Sequence, residues 1–99
     1  MVRIVWTELS VNDLEEVRDY IAQDSKRYSS ITVTRIYERV LLLTGTPLLG
    51  RMVPEFNTKT IRELRQGHYR IIYRISDPEE VEILRIIHDA RILKKKHLR

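Results

Sequence analysis

The stretch between residues 60 and 88 most constrains what this chain can fold into. Residues 69–75 are rich in β-branched and aromatic side chains, which favour strands. Similar runs lie before it, at residues 60–65, and after it, at residues 81–88. Turns that contain Gly67 and Pro78 separate the three runs. The spacing therefore predicts three consecutive antiparallel strands joined by short turns.

The first half of the chain predicts one strand followed by two helices. Residues 3–6 form a short β-branched and aromatic run, and Thr7 is a suitable cap for a helix over about residues 8–25. Apolar residues at helical spacing predict a second helix over about residues 29–44, capped by Ser29 or Ser30. The loop between the helices is short, which favours an antiparallel hairpin.

A connection of some 15 residues links the second helix to the strands. Glycine and proline punctuate it, at Gly45, Pro47, Gly50 and Pro54. Such a length is unusual in a compact domain unless side chains hold the segment down. We expect four apolar residues to pin it: Leu48, Leu49, Val53 and Phe56.

The order β-α-α-β-β-β predicts an α+β fold in which the helical hairpin packs on one face of a small antiparallel sheet. A chain of 99 residues supports one core, so residues 1–99 form a single domain with a short basic C-terminal segment. Alternation along the middle strand assigns four residues to the core side: Tyr69, Ile71, Tyr73 and Ile75. The tyrosines are then core residues rather than base-stacking platforms. The other face, with Arg70 and Arg74, is expected to be open.

Charge and composition exclude several classes of protein. The net charge is +4, and the basic excess lies in residues 51–99, since residues 1–50 carry six basic and seven acidic side chains. The chain has no cysteine, which excludes disulfide scaffolds and thiolate zinc sites. It has no apolar run of membrane-spanning length and no signal-peptide pattern. We expect a cytoplasmic protein that does not engage membranes.

Arginines in the strands and just beyond them form the main candidate binding surface. They are Arg62, Arg65, Arg70, Arg74 and Arg91, and at least Arg62, Arg70 and Arg74 could share the open face. Guanidinium groups bind phosphate or carboxylate through two parallel hydrogen bonds. For any one arginine the alternative is ordinary solvated charge, but an uncovered sheet face favours a partner-binding surface for the group.

His88 is the main candidate for proton transfer, because histidine titrates near neutral pH. It stands beside Asp89 and close to Arg91 in the sequence. A structural or surface histidine is the alternative. The three histidines are scattered, and the sequence predicts neither a metal site nor a cofactor.

Short motifs along nearly the whole chain resemble the RelE/ParE superfamily of toxins from type II toxin–antitoxin systems. The residues that carry the resemblance are Trp6-Thr7, Asp13-Leu14, Tyr20-Ile21, Pro47, residues 50–55, 62–64 and 69–73, and Ile87-His88 with Arg91. The resemblance implies a growth-inhibiting toxin of the plasmid-stabilisation type without a cofactor. It also implies an antitoxin that wraps the toxin with an acidic or flexible segment and alone contacts promoter DNA.

Two activities occur in this superfamily. ParE-like members inhibit DNA gyrase, whereas RelE-like members are metal-independent endoribonucleases that cut mRNA on the ribosome. In the RelE-like case Arg70, His88 and Arg91 would be catalytic. However, Ile61 and Glu63 stand where RelE-like enzymes place lysines, and no tyrosine follows Arg91. We therefore favour a ParE-like gyrase inhibitor, with a ribonuclease and an inactive antitoxin-binding relative as alternatives.

Overall fold

A computed structural model describes residues 1–90 of the chain. The elements in this part are β1 (Arg3–Trp6), α1 (Glu8–Ala22), α2 (Lys26–Leu41), a 3-10 turn (Leu42–Thr44), β2 (Arg51–Met52), β3 (Ile61–Gln66), β4 (Tyr69–Asp77) and β5 (Glu80–His88). The predicted order is confirmed, with β2 as an additional two-residue strand in the long connection. The predicted basic C-terminal segment lies outside the described residues.

The strands form one sheet in the order β1-β5-β4-β3-β2. From β2 to β5 neighbouring strands are antiparallel, as predicted. β1 instead pairs in parallel with β5, from Arg3 opposite Glu80 to Trp6 opposite Ile83, so a purely antiparallel sheet was the wrong expectation. Parallel pairing requires a long connection between the two strands, and the chain from α1 to β4 supplies one.

Hydroxyl side chains cap both helices. Thr7 caps α1, as predicted, but Ser25 rather than Ser29 or Ser30 caps α2. The predicted cap is wrong because α2 begins directly after a short turn. Ser29 instead lies buried inside α2, where its hydroxyl donates to the carbonyl oxygen of Arg18 at 2.6 Å and ties the two helices together. Neither helix of the described part is long and apolar enough to cross a membrane.

The main core lies between the helices and the sheet. It joins the buried residues Val17, Ile36, Val40 and Leu43 to Leu64, Ile71, Tyr73, Val81, Ile83 and Ile86 of the sheet. Tyr69 and Ile75 pack against this cluster, so the predicted core side of β4 is confirmed. Tyr73 is completely buried and is therefore a core residue, as expected.

The opposite face of the sheet is covered rather than open. A second buried cluster lies there, formed by Val53, Ile72, Leu84 and Ile87, with Phe56 and Ile61 packed against it. The predicted open face is therefore wrong, because residues 53–56 of the connection fold over it. Val53 and Phe56 pin the connection as predicted, whereas Leu48 and Leu49 are exposed and do not.

The connection is also anchored to β4 through the buried hydroxyl of Tyr73. This hydroxyl accepts a hydrogen bond from the N–H of Gly50 and donates one to the carbonyl oxygen of Pro47, each at 2.8 Å. Burial raises the pKa of Tyr73, so the hydroxyl keeps the proton that it donates. A Cβ at Gly50 would lie 2.5 Å from the carbonyl oxygen of Glu63, which leaves room for glycine alone.

Removing the Tyr73 hydroxyl tests this anchor. We expect Tyr73→Phe to lower the free energy of unfolding by about 1–3 kcal/mol, because it leaves a buried donor and a buried acceptor without their partner. Tyr69→Phe is the matched control in the same strand and should change stability by less than about 0.5 kcal/mol. If urea denaturation shows the same loss of stability in the two variants, the Tyr73 hydroxyl does not anchor the connection.

Candidate functional site

Arg70 is the centre of a buried ion-pair network on the face of the sheet away from the helices. Its guanidinium donates to both carboxylate oxygens of Glu55, at 2.8 and 2.9 Å. It also donates to the carboxylate of Glu63, at 2.7 and 3.3 Å. Arg51 reaches one oxygen of the same Glu63 carboxylate at 3.1 Å from a more exposed position. Since Arg70 is 5% exposed, the expectation that it lies on an open surface is wrong.

The network fixes the charge state of Arg70. Hydrogen bonding to Glu55 is the largest cause that raises the pKa of the guanidinium above its ordinary value, and it outweighs the opposing effect of burial. The group therefore holds its proton and is unsuited to acid catalysis. Two guanidinium groups face two carboxylates, so this cluster offers no excess positive charge to a phosphate.

The strand register separates the other predicted arginines. Arg65 and Arg74 lie on the same face as Arg70, since Arg65 is opposite Arg70 and Arg74 is opposite Ile61. Arg62 lies opposite the core residue Tyr73, so the expected grouping of Arg62 with Arg70 and Arg74 is wrong.

Each of the three other predicted site arginines within residues 1–90 has a partner of its own. Arg65 lies 3.5 Å from a carboxylate oxygen of Asp89, and Arg74 lies 2.9 Å from one of Glu82. Arg62 donates to the carbonyl oxygen of Gly50 at 2.9 Å and helps to hold the connection. Arg65 and Arg74 have half-exposed side chains and can change partners at little cost. Arg91 lies outside the described residues.

The predicted His88 belongs to a small group of rings at the end of the sheet. The rings of His68 and His88 stack with centroids 6.0 Å apart, and Tyr69 meets His88 edge-on at 5.7 Å. A carboxylate oxygen of Asp89 lies 3.4 Å from Nδ1 of His88, and the N–H of Ala90 donates to that nitrogen at 3.2 Å. Within residues 1–90 no three histidine, aspartate or glutamate side chains form a group that could hold a metal ion.

Arg70 and His88 lie on opposite faces of the sheet. His88 is opposite Tyr69, which packs on the helix side, whereas Arg70 is opposite Ile87, which belongs to the second cluster. Consecutive strand residues point to opposite faces, so the two side chains diverge. The structure therefore does not bring together the two predicted catalytic residues that it describes.

Residues 4–93 match the family model for the ParE toxin of the type II toxin–antitoxin system parDE. This chain belongs to the ParE toxin family. A relative, Toxin RelE2 of Caulobacter vibrioides, is 36% identical over 93 residues, which are 93% of this chain and 100% of the relative. The RelE/ParE resemblance of the sequence motifs is thus confirmed.

Two solved structures share the fold of this ParE family member. One belongs to a chromosomal ParDE toxin–antitoxin system from P. aeruginosa; its TM-score is 0.71 at 24% identity, over 89% of this chain and 96% of the other. The second is the toxin–antitoxin complex RelBE2 from Mycobacterium tuberculosis; its TM-score is 0.63 at 24% identity, over 88% and 96% of the two chains. At this identity the likeness shows the α+β fold.

One buried pair in this ParE toxin was not among the predicted site residues. Asp13 of α1 accepts two hydrogen bonds from Arg85, at 2.6 and 2.9 Å, and one from the N–H of Ile86 at 2.9 Å. β1 pairs with β5 only as far as Ile83, and Asp13 satisfies a backbone donor of β5 beyond that point. A sequence signal existed, because Asp13 shares the buried face of α1 with Ser10 and Val17 at helical spacing.

Glu63 is the other residue whose importance emerges from the structure. In the sequence it stands out as a departure from the RelE-like pattern, in which a lysine is expected. In the structure it is 2% exposed and holds Arg70. Without the register of β3 against β4 the sequence offers no sign of this pairing, since seven positions separate the two residues.

Proposed function

We propose that this ParE family toxin inhibits bacterial growth by binding DNA gyrase in the cytoplasm, and that it does not cleave RNA. The observation that carries the proposal is the state of Arg70, which is buried between two carboxylates and faces away from His88. An arginine held in this way fixes the connection to the sheet and is not available to bind a phosphate. Gyrase is the target that the ParE-like resemblance implies.

The same observation disfavours a ribonuclease. Metal-independent RNA cleavage requires positive charge at the phosphate and an acid and a base near the same point. Here Arg70 is neutralised by Glu55 and Glu63, and a carboxylate occupies the position of an expected lysine. Of the predicted arginines of β3 and β4, Arg62 alone lies on the face of His88, at the far end of β3, although Arg35 of α2 lines the same cavity as His88.

The proposed protein partners are an antitoxin and gyrase, with promoter DNA reached only through the antitoxin. An antitoxin is supported by the relatives, which include a ParDE system and a RelBE2 toxin–antitoxin complex. Of the predicted contact residues, Arg65 and Arg74 suit a partner best, because their side chains are 49% and 46% exposed. Arg62 and Arg91 remain predicted contacts, and Arg70 acts through the position of the connection.

A supercoiling assay with the full-length toxin tests the proposal. We expect the toxin to block gyrase-dependent supercoiling or to raise cleaved DNA, and to leave mRNA intact in a translation extract. The double variant Arg65→Gln, Arg74→Gln should weaken inhibition at least about tenfold, a loss of about 1.4 kcal/mol of binding free energy. Arg18→Gln with Arg27→Gln is the matched control, because it removes the same charge from exposed helical positions.

The alternatives predict different results in the same experiments. Intact supercoiling at large toxin excess, together with cleaved mRNA that is lost in His88→Gln, would establish the ribonuclease instead. Intact supercoiling, intact mRNA and no growth arrest on expression would indicate the inactive antitoxin-binding relative.

A further inference from the structure

A cavity of about 180 Å³ lies between α2 and the turn that joins β3 to β4. From α2 it is lined by Tyr28, Thr32 and Arg35, which lie four and three positions apart and therefore share one face of the helix. Among residues 1–90 no aspartate or glutamate lines this cavity, so it combines a cation with hydrogen-bond donors. The rest of the lining comes from α1, the turn and the end of the sheet: Ile21, Gln66, Gly67, His68, Tyr69 and His88.

Arg35 supplies the positive charge of the cavity, and it forms no ion pair with any carboxylate of residues 1–90. Glu38, the one acidic residue of α2, lies three positions away and does not pair with it either. Residues 91–99 contain no aspartate and no glutamate, so no acidic side chain outside the described part is available to it. A guanidinium pairs best with a carboxylate, through two parallel hydrogen bonds, and this one has no such partner within its own chain.

Arg39 continues the same face of α2 one turn beyond Arg35. Its Nε is buried and has no hydrogen-bond acceptor within the described residues. A buried donor without an acceptor costs free energy, which a ligand that brings an oxygen acceptor would recover. The two arginines thus point to the same ligand chemistry from different observations, one from charge and one from hydrogen bonding.

The two histidines of the lining add donors rather than fixed charge. Nδ1 of His88 accepts a hydrogen bond from the N–H of Ala90 at 3.2 Å, so the neutral ring donates through Nε2. The charge of a protonated ring would be offset by Asp89, whose carboxylate oxygens lie 3.4 Å from Nδ1 of His88 and 3.8 Å from Nδ1 of His68. The fixed positive charge of the site is therefore that of the two α2 arginines.

We propose that Arg35 and Arg39, together with the cavity beside them, bind the carboxylate of an acidic side chain from a protein partner. The cavity is smaller than the sites of drug-sized ligands, which span about 300–1,000 Å³, so it accommodates a single functional group. Neither arginine is among the site residues predicted from the sequence. The inference goes beyond the gyrase proposal and does not depend on it.

The charges around the cavity favour one carboxylate over a nucleic acid. A second groove, which also has His88 in its lining, is lined by Glu16 and Asp19 of α1, and Asp89 lies beside the histidine rings. A nucleic acid carries a negative charge on every phosphate, so it would bring further phosphates close to these carboxylates. A peptide can place one acidic side chain in the cavity with neutral neighbours on either side. A purely apolar segment would leave the buried Nε of Arg39 without an acceptor.

NMR titration of the full-length toxin with hexa-glutamate tests the proposal. We expect this peptide to shift the amide signals of residues 28–39 and 66–69, and hexa-lysine to leave them unchanged. Arg35→Gln should weaken hexa-glutamate binding at least about fivefold, because it removes the unpaired guanidinium. Arg27→Gln is the matched control, since it removes the same charge from an exposed position of the same helix outside the cavity, and it should bind within about twofold of the parent.

Arg39→Gln provides a second measurement, because it removes the buried Nε. We expect it to weaken hexa-glutamate binding as well, and by more than Arg27→Gln does. Arg35 forms no ion pair within residues 1–90, so Arg35→Gln should fold like the parent, and the dispersion of the amide spectrum reports this directly.

Three results would overturn the proposal. Equal weakening in Arg35→Gln and Arg27→Gln would mean that net charge alone attracts the peptide. Shifts confined to another surface would place the site elsewhere. Shifts of the same signals by hexa-uridylate or inorganic phosphate, at lower concentrations than hexa-glutamate requires, would assign the cavity to a phosphate ligand.

The titration and the supercoiling assay can fail separately. The titration contains no gyrase, so a toxin that leaves supercoiling intact would still bind hexa-glutamate at Arg35. The supercoiling assay contains no acidic peptide, so a failure of the carboxylate site leaves the gyrase result unaffected.

Discussion

Replacing Arg70 with methionine should lower the free energy of unfolding by about 3–5 kcal/mol, the usual cost of removing one partner from a buried ion pair. Methionine retains much of the apolar volume, but the Glu63 carboxylate, 1% exposed, then loses its nearest cation. Arg51 remains beside it, yet the side chain of Arg51 is 62% exposed and compensates poorly. Urea denaturation followed by circular dichroism measures the loss.

Arg74→Met is the matched control for this prediction. Arg74 also lies in β4 and pairs with Glu82 of the neighbouring strand β5, but its side chain is 46% exposed. Exposed pairs of this kind contribute at most about 1 kcal/mol, so the control should remain close to the parent. Equal losses at the two positions would show that the Arg70 network is no stronger than a surface pair.

A compensating variant separates charge from packing. In Arg70→Met with Glu63→Leu, the buried carboxylate is removed together with its partner, and apolar replacements of buried pairs are often neutral or stabilising. We expect this double variant to recover most of the stability lost in Arg70→Met. If the stability is not recovered, the loss in Arg70→Met comes from the missing hydrogen bonds of the network rather than from an unpaired charge.

Asp13→Ala should also be strongly destabilising, by about 3 kcal/mol or more, because it removes one side of a buried, hydrogen-bonded charge pair. The carboxylate is 10% exposed and joins α1 to β5 through Arg85 and the N–H of Ile86. Its loss also leaves that backbone donor without the oxygen that it binds. Thermal and urea denaturation of the full-length protein both report the change.

Asp19→Ala is the control for the α1 carboxylates. Asp19 lies on the same helix but is 70% exposed, and it pairs with Arg18 in solvent. Its removal should change stability by less than about 0.5 kcal/mol. A loss at Asp19 comparable to that at Asp13 would contradict the role of Asp13 as the bridge between α1 and β5.

The Arg70 network connects stability to function. In the RelE-like case the RelE/ParE resemblance implies that Arg70 is a catalytic residue. In this chain Glu55 of the connection and Glu63 of β3 bind that arginine instead. These three side chains hold the connection over the sheet and together carry no net positive charge.

The order of the elements followed from the sequence because each signal is local. Thr7 caps the first helix, apolar residues recur at helical spacing, and alternation assigns Ile71 and Tyr73 to the core side. The exceptions have equally local causes. The sequence does not give the length of the turn between the helices, so it does not distinguish Ser25 from Ser29 as the cap of α2. Leu48 and Leu49 are apolar and were expected to anchor the connection, but they are exposed.

The sequence alone determined the fold class, the family resemblance and the uneven charge of the chain. The tertiary structure decided which charged side chains are available to bind a partner, because an ion pair depends on residues that the fold brings together from distant positions. Asp13 meets Arg85 across 72 residues, and Arg70 meets Glu55 across 15. A side chain that looks unpaired in the sequence can therefore be neutralised in the fold, as Arg70 is by Glu55 and Glu63.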